Sequence, residues 1–234
     1  MNNISLSRRR LLLGAAPLAA LGAAQAIGLA GCAKDDAATD REIYAPVFFT
    51  APEWNFIHAA VDRLIPSDEV GPSAVAAGVP EFIDRQMEAP YGHGAYFYMH
   101  GPFLTDLSPT LGYQLRYTPR ELYRSGIASV DAACRQANGK VFAELTAADQ
   151  DAFLTALEHN TVTLSGPPAA AFFAQLLENT REGYFADPMY GGNRDMGAWK
   201  MIGFPGARAD FTDWIDQAGK VYPFGPVAID GTRR

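Results

Sequence analysis

The sequence predicts a mainly α protein, one compact helical domain with long aromatic and glycine-rich loops, placed after an N-terminal export signal. Three observations carry this. Several segments set apolar residues at helical spacing behind capping signatures, and no run sustains the period-two alternation of a half-buried strand. The chain beyond its first 31 residues is also the length of one large domain, able to bury a core without disulfides. Read this way, the 234 residues divide into a signal at 1–31, a flexible tether at 32–47, a helical domain at 48–226 and a tail at 227–234.

The signal is read from Ser7, Arg8 and Arg9, which with Arg10 open onto an apolar run over residues 11–29 whose one polar residue is Gln25. Consecutive arginines at the edge of such a run are the pattern of a twin-arginine signal, the route of cargo exported already folded. A chain so exported either holds a cofactor or crosses beside a partner that does. Two processing sites compete at the end of the run. Ala24-Gln25-Ala26 fits the small-x-small rule of ordinary signal peptidase, and Leu29-Ala30-Gly31-Cys32 fits a lipobox in which Cys32 is lipidated. A retained anchor is the third alternative, weakened by the alanine and glycine content of the run.

The polar stretch Lys34-Asp35-Asp36-Ala37-Ala38-Thr39-Asp40 reads as part of the tether. Thr50-Ala51-Pro52-Glu53 is a capping box, and Trp54, Ile57, Val61 and Leu64 line one face of the helix behind it, which Pro66 stops. A short helix from about Pro80 to Met87 follows a loop. Residues 88–117 carry Tyr91, His93, Tyr96, Phe97, Tyr98, His100 and Phe103 among breakers, too apolar for a solvated linker and too long for an idle loop. Thr118-Pro119-Arg120-Glu121 opens a helix with the stripe Tyr123, Ile127, Val130, Cys134, Ala137 and a stop at Asn138-Gly139. Thr146 caps a helix with Phe153, Leu154 and Leu157. Pro167-Pro168 precedes one with Phe172, Phe173, Leu176 and Leu177, expected to end at Gly183. Phe211, Trp214, Ile215 and Ala218 predict a last helix, ahead of an extended tail.

The formal charge of −7 becomes −10 when Arg8, Arg9 and Arg10 are removed, since no acidic residue precedes Asp35. That balance argues against nucleic acid and against an anionic membrane surface as partners. With Cys32 lipidated or removed, Cys134 is the one remaining thiol, and its stripe faces either the chain's own core or a partner subunit with which it forms a disulfide.

Few residues suggest chemistry. His58, His93, His100 and His159 form no zinc or c-type haem pattern, a single thiol cannot hold an iron–sulfur cluster, and no glycine fingerprint follows a strand. Asp62, Asp68 and Glu69 match no calcium loop. The densest signal is Glu182-Gly183-Tyr184-Phe185-Ala186-Asp187-Pro188-Met189-Tyr190-Gly191-Gly192-Asn193, continuing through Trp199 to Gly203-Phe204-Pro205-Gly206, read as a packed structural loop. No catalytic, cofactor-binding or metal residue is therefore expected in this chain. The partner interface is expected at Tyr91, His93, Tyr96, Phe97, Tyr98, Phe103, Tyr184, Phe185, Tyr190 and Trp199, because aromatic residues concentrate where subunits meet.

The segment Asp62-Arg63-Leu64-Ile65-Pro66-Ser67-Asp68, the stretch from Gly78 to Asp84, and the motifs at 182–193 and 203–206 resemble the gluconate 2-dehydrogenase subunit 3 family, over essentially all of residues 48–226. This is the small subunit of membrane-bound FAD-dependent sugar and sugar-acid dehydrogenases. The resemblance implies a heteromer in which a large flavoprotein carries FAD, a multihaem cytochrome c carries haem, and the small subunit escorts the flavoprotein through the twin-arginine translocase to the periplasmic face of the inner membrane. It leaves open which sugar or sugar acid is oxidised. The alternative from another class is a stand-alone exported lipoprotein or enzyme that binds a small ligand in the aromatic loop.

Overall fold

A computed structural model describes residues 44–104 and 107–233, which belong to one compact unit spanning 43–234. The signal residues Ser7, Arg8 and Arg9, both processing sites and Cys32 lie outside the described residues. Six α-helices are found among those described: α1 Ala51–Leu64, α2 Val79–Glu88, α3 Pro119–Asn138, α4 Ala147–Glu158, α5 Ala169–Phe185 and α6 Gly197–Ile202. They carry no strand, only isolated bridges of Val227 with Gly206 and with Arg233. The mainly α class is as expected.

The caps form as the sequence predicts. Glu53 accepts from the backbone N–H and the hydroxyl of Thr50, each at 2.8 Å. Glu121 does the same for Thr118, at 2.8 and 2.9 Å. These bonds satisfy donors that a helix start leaves unpaired. Proline at the first or second position preorganises α1, α2 and α3, and Gly139 closes α3 in the left-handed conformation.

α5 is the hub, touching α1, α2, α3, α4 and α6. Its buried positions include Phe172, Phe173, Leu176, Thr180 and Tyr184, a stripe wide enough to meet neighbours on several sides. Phe56 from α1, Tyr123 from α3 and Phe142 before α4 complete an aromatic centre, with Phe56 and Phe142 ring centroids 4.8 Å apart. A bidentate pair of Arg63 with Asp151, both contacts at 2.7 Å, ties α1 to α4 at the surface.

Three expectations about elements are corrected. α5 does not stop at Gly183 but continues to Phe185. Gly183 is there because a Cβ would lie 2.7 Å from the Phe82 ring of α2, so the residue serves a close helix crossing. Phe211, Trp214 and Ile215 do not build a helix; only a 3-10 turn forms at Thr212–Trp214. The sixth helix lies earlier, at α6, where the sequence reading placed loop.

Ordered contacts also reach residues on either side of 48–226. Residues 44–47, expected in the tether, are strapped to the domain by buried Asp84. Its Oδ2 accepts from the Tyr44 hydroxyl and the Val47 N–H, each at 2.7 Å, and its Oδ1 from the N–H groups of Phe48 and Phe49 at 3.1 and 2.8 Å. At the other end, in the tail at 227–234, Val227 and Ala228 are buried and Asp187 Oδ2 accepts the Ile229 N–H at 2.7 Å.

The motif from Glu182 to Gly206 is packed, as read. Buried Asn193 accepts from the Ala198 N–H and donates to the Ala186 carbonyl, both at 3.0 Å. Arg194 reaches Glu81 of α2 at 2.6 Å. Asn193, Asp195 and Met196 all have positive φ, a conformation that costs a non-glycine residue energy and persists only where surrounding contacts impose it.

Candidate functional site

Among the described residues no group of three or more His, Cys, Asp or Glu side chains is placed to hold a metal ion, and no helix is long and apolar enough to cross a membrane. The histidines are dispersed. His58 packs edge-on to Trp54, with ring centroids 4.7 Å apart, and burial with the nearby Arg194 charge lowers its pKa below 6.5. His100 stacks on Tyr98, and His159 caps α4. Cys134 is fully buried in the chain's own core, the first of the two arrangements that its stripe allows. Burial, with Asp131 beside it, pushes the thiol up to about 12, so it remains protonated and shielded.

A polar network beneath the aromatic loop gives that loop its foundation. Gln175, Asn179 and Glu182 are four and three residues apart on α5 and so share one face. Gln175 Nε2 donates to the Tyr91 hydroxyl oxygen at 2.7 Å and to Asn179 Oδ1 at 2.8 Å. Asn179 Nδ2 donates to the same Tyr91 oxygen at 3.0 Å and to Glu182 at 2.8 Å, while its Oδ1 accepts from Tyr123 at 3.2 Å. Every polar group of Asn179 is thereby used, which a fully buried amide requires. The network holds the root of the loop through Tyr91.

From that root the chain turns outward. Phe97 bridges Tyr91 and Tyr113, with centroids 5.9 and 4.8 Å away. Beyond it Tyr96, Tyr98, Phe103, Leu104, Leu107 and Leu111 are exposed, Tyr98 to 80%. Leaving these large apolar side chains in water forgoes about 1.5–3 kcal/mol per side chain relative to burial.

The expected interface residues therefore separate. His93, Tyr96, Tyr98, Phe103, Phe185 and Tyr190 are exposed, while Tyr91 and Phe97 are half-buried in the base of the loop. Tyr184 and Trp199 correct the expectation, at 3% and 6% exposure. Each has found an internal partner. The Tyr184 hydroxyl donates to the Pro72 carbonyl at 2.7 Å and the Trp199 indole N–H to the Phe185 carbonyl at 2.8 Å. Aromaticity alone could not tell these two from their exposed neighbours.

A cleft of about 820 Å³ lies beside the loop, lined among others by Phe48, His93, Arg116, Arg120 and Arg124. Arg120 and Arg124 lie one turn apart on α3 and so share a face, while Arg116 precedes the helix. All three are engaged, Arg116 by donating to the Tyr117 hydroxyl oxygen at 3.2 Å. Arg120 meets Glu88 at 3.1 Å and His93 Nε2 at 2.6 Å, and Arg124 bonds Glu53 and the Phe48 carbonyl. Both guanidinium groups also stack over the Phe48 ring, at 4.9 and 4.3 Å. Their charge holds the strap in place and leaves little positive excess for an anion.

Sequence reading missed two further features. The Asp84 clamp had no local signature, because its partners lie 35 to 40 residues away. The exposed apolar side chains after residue 202 are the second: the expected helix face accounts for Phe211 and Ile215 alone, and that helix does not form. A family model described as gluconate 2-dehydrogenase subunit 3 matches residues 51–206, more than half of the chain. No curated protein and no solved structure matches it.

Proposed function

The chain belongs to the gluconate 2-dehydrogenase subunit 3 family, subunits of a dehydrogenase complex, and from that premise we propose that it is the non-catalytic small subunit that escorts an FAD-containing flavoprotein out of the cytoplasm and steadies it afterwards. In the assembled complex the flavoprotein oxidises a sugar or sugar acid, and a multihaem cytochrome c takes the electrons onward at the periplasmic face of the inner membrane. The small subunit contributes the twin-arginine signal at Ser7, Arg8 and Arg9 and a preformed surface to which the flavoprotein binds.

The observation that carries this reading is the aromatic loop. Its base is fixed by the Tyr91 network while Tyr96, Tyr98 and Phe103 point outward, which suits a surface awaiting a folded partner. An escort must bind its cargo before export, and a preordered surface lowers the entropic cost of doing so. Replacing Arg8 and Arg9 with lysine tests the escort. Both this chain and the flavoprotein are expected to accumulate in the cytoplasm, measured by fractionation and by flavin content. A flavoprotein that reaches the periplasm in normal amount in that variant removes the escort role.

A further inference from the structure

Residues 207–226 form a loop with a closed neck. Ala207 donates to the Val227 carbonyl at 2.7 Å and Val227 to the Pro205 carbonyl at 3.2 Å, and Arg208 reaches across to the Gly225 carbonyl at 3.0 Å. Gly206 makes the neck tight: its φ is +77°, and a Cβ there would lie 2.2 Å from the Val227 carbonyl oxygen. The family match ends at residue 206, so the loop stands outside the framework that the family model describes.

The loop has its own internal order. Tyr222 is the centre of an aromatic cluster, with Trp214, Phe224 and Phe211 at 5.1, 5.4 and 5.6 Å, and Arg208 stacks over the Tyr222 ring at 4.9 Å. Yet none of its residues belongs to the main core. Ile215 and Val221 are 72% and 91% exposed, and Phe204, Phe211, Phe224 and Ile229 are exposed as well. At the roughly 150–250 Å² that a large side chain carries, the four within the loop present about 500 Å² of apolar surface, and with Phe204 and Ile229 flanking the neck the total is on the order of 700 Å². One side of a standard protein interface buries about 800 Å². Asp213 and Asp216, both exposed, have no cationic partner among the described residues.

We propose that this loop is a second docking element, distinct from the aromatic loop, and that its occupant is the flavoprotein subunit. It inserts Ile215 and Val221 into an apolar recess whose rim carries lysine or arginine opposite Asp213 and Asp216. The inference rests on the reading of the chain as a small subunit. The closed neck matters to it, because a loop already closed and internally stacked loses less entropy on docking than a free arm. The unpaired aspartates set orientation and encounter rate, and the apolar side chains supply the affinity.

The test uses the affinity-tagged full chain purified from native membranes, as wild type and as the double variant Ile215→Glu, Val221→Glu. Both positions are solvent-facing, so the variant is expected to melt with the wild type. The flavoprotein recovered with it, identified by flavin absorbance and subunit mass, is expected to fall at least tenfold. Hydrogen exchange on the wild-type complex provides a second readout that needs no substitution, with amides of 207–226 expected to slow relative to the isolated chain. Undiminished flavoprotein on the variant, or unchanged exchange in the loop, overturns the proposal while leaving the subunit reading intact. A wild-type eluate without flavoprotein overturns both. A dimer of the isolated chain, seen by sedimentation and dissolved by the double variant, overturns the flavoprotein as occupant in favour of a second copy.

Discussion

Asp131 shows how one buried carboxyl sets a pH dependence. It lies on the core side of α3, where its Oδ1 accepts the Phe142 N–H at 3.0 Å, and burial raises its pKa above the ordinary 3.8 despite that bond and the nearby Arg135. A raised folded pKa means that the folded state holds the proton more tightly than the unfolded chain. Its favourable contribution is then complete below about 3.8 and is lost as pH rises through the folded value. Asp131→Asn keeps an acceptor for Phe142 and removes the titration. Melting temperatures of the two proteins are expected to converge in strong acid and to separate in favour of the asparagine variant as pH rises above 3.8. A difference that stays constant across that range would falsify the assignment. Cys134, one turn further along the same helix, is subject to the same burial, which raises its pKa in turn.

Asp84 governs an element rather than a site. Four donors from residues 44–49 converge on its two oxygens, and the strap so fixed presents Phe48 as the ring on which Arg120 and Arg124 stack. Asparagine in its place has one acceptor oxygen and brings an NH₂ group toward donors. Asp84→Asn is expected to cost about 3 kcal/mol, the range for buried hydrogen bonds to a charged group with a donor left unpaired. Chemical denaturation measures the loss, and hydrogen exchange at 44–49 locates it. Strap amides as protected in the variant as in the wild type would show that packing of Phe48 and Phe49, not the carboxylate, holds the segment.

At the scale of the whole molecule, the hydrophobic surface is unevenly distributed. One core centred on α5 absorbs the helical stripes, and the apolar excess gathers in the loop after Tyr91, around Phe185 and Tyr190, and beyond residue 202. Association with other subunits, which the family implies, would give such exposed apolar surface a cover. Amides in residues 96–104 and 107–111 are expected to exchange rapidly in the isolated chain and to slow when the flavoprotein is bound, while those at the Tyr91 root change little because the network already protects them. Exchange in the exposed part that is unaltered by the partner contradicts the docking role of the loop.

The sequence alone determined the helical class, the starts of α1, α3 and α4, the family and the packed character of the motif at 182–206. Each of those is written locally: a threonine three residues ahead of an acid, an apolar repeat, a glycine pair with its flanking aromatics. What only the tertiary structure decided depends on partners distant in the chain. Gly183 looked like a stop and is a crossing point, because Phe82 of α2 lies against it. Tyr184 and Phe185 are adjacent aromatic residues, yet one is buried and the other exposed, because only Tyr184 points at the Pro72 carbonyl. Phe211, Trp214 and Ile215 read as a helix face but lie in a closed loop, where Phe211 and Trp214 pack on Tyr222, a contact about which periodicity carries no information. Periodicity reports that a side chain seeks burial; the fold decides whether its own core or another subunit provides it.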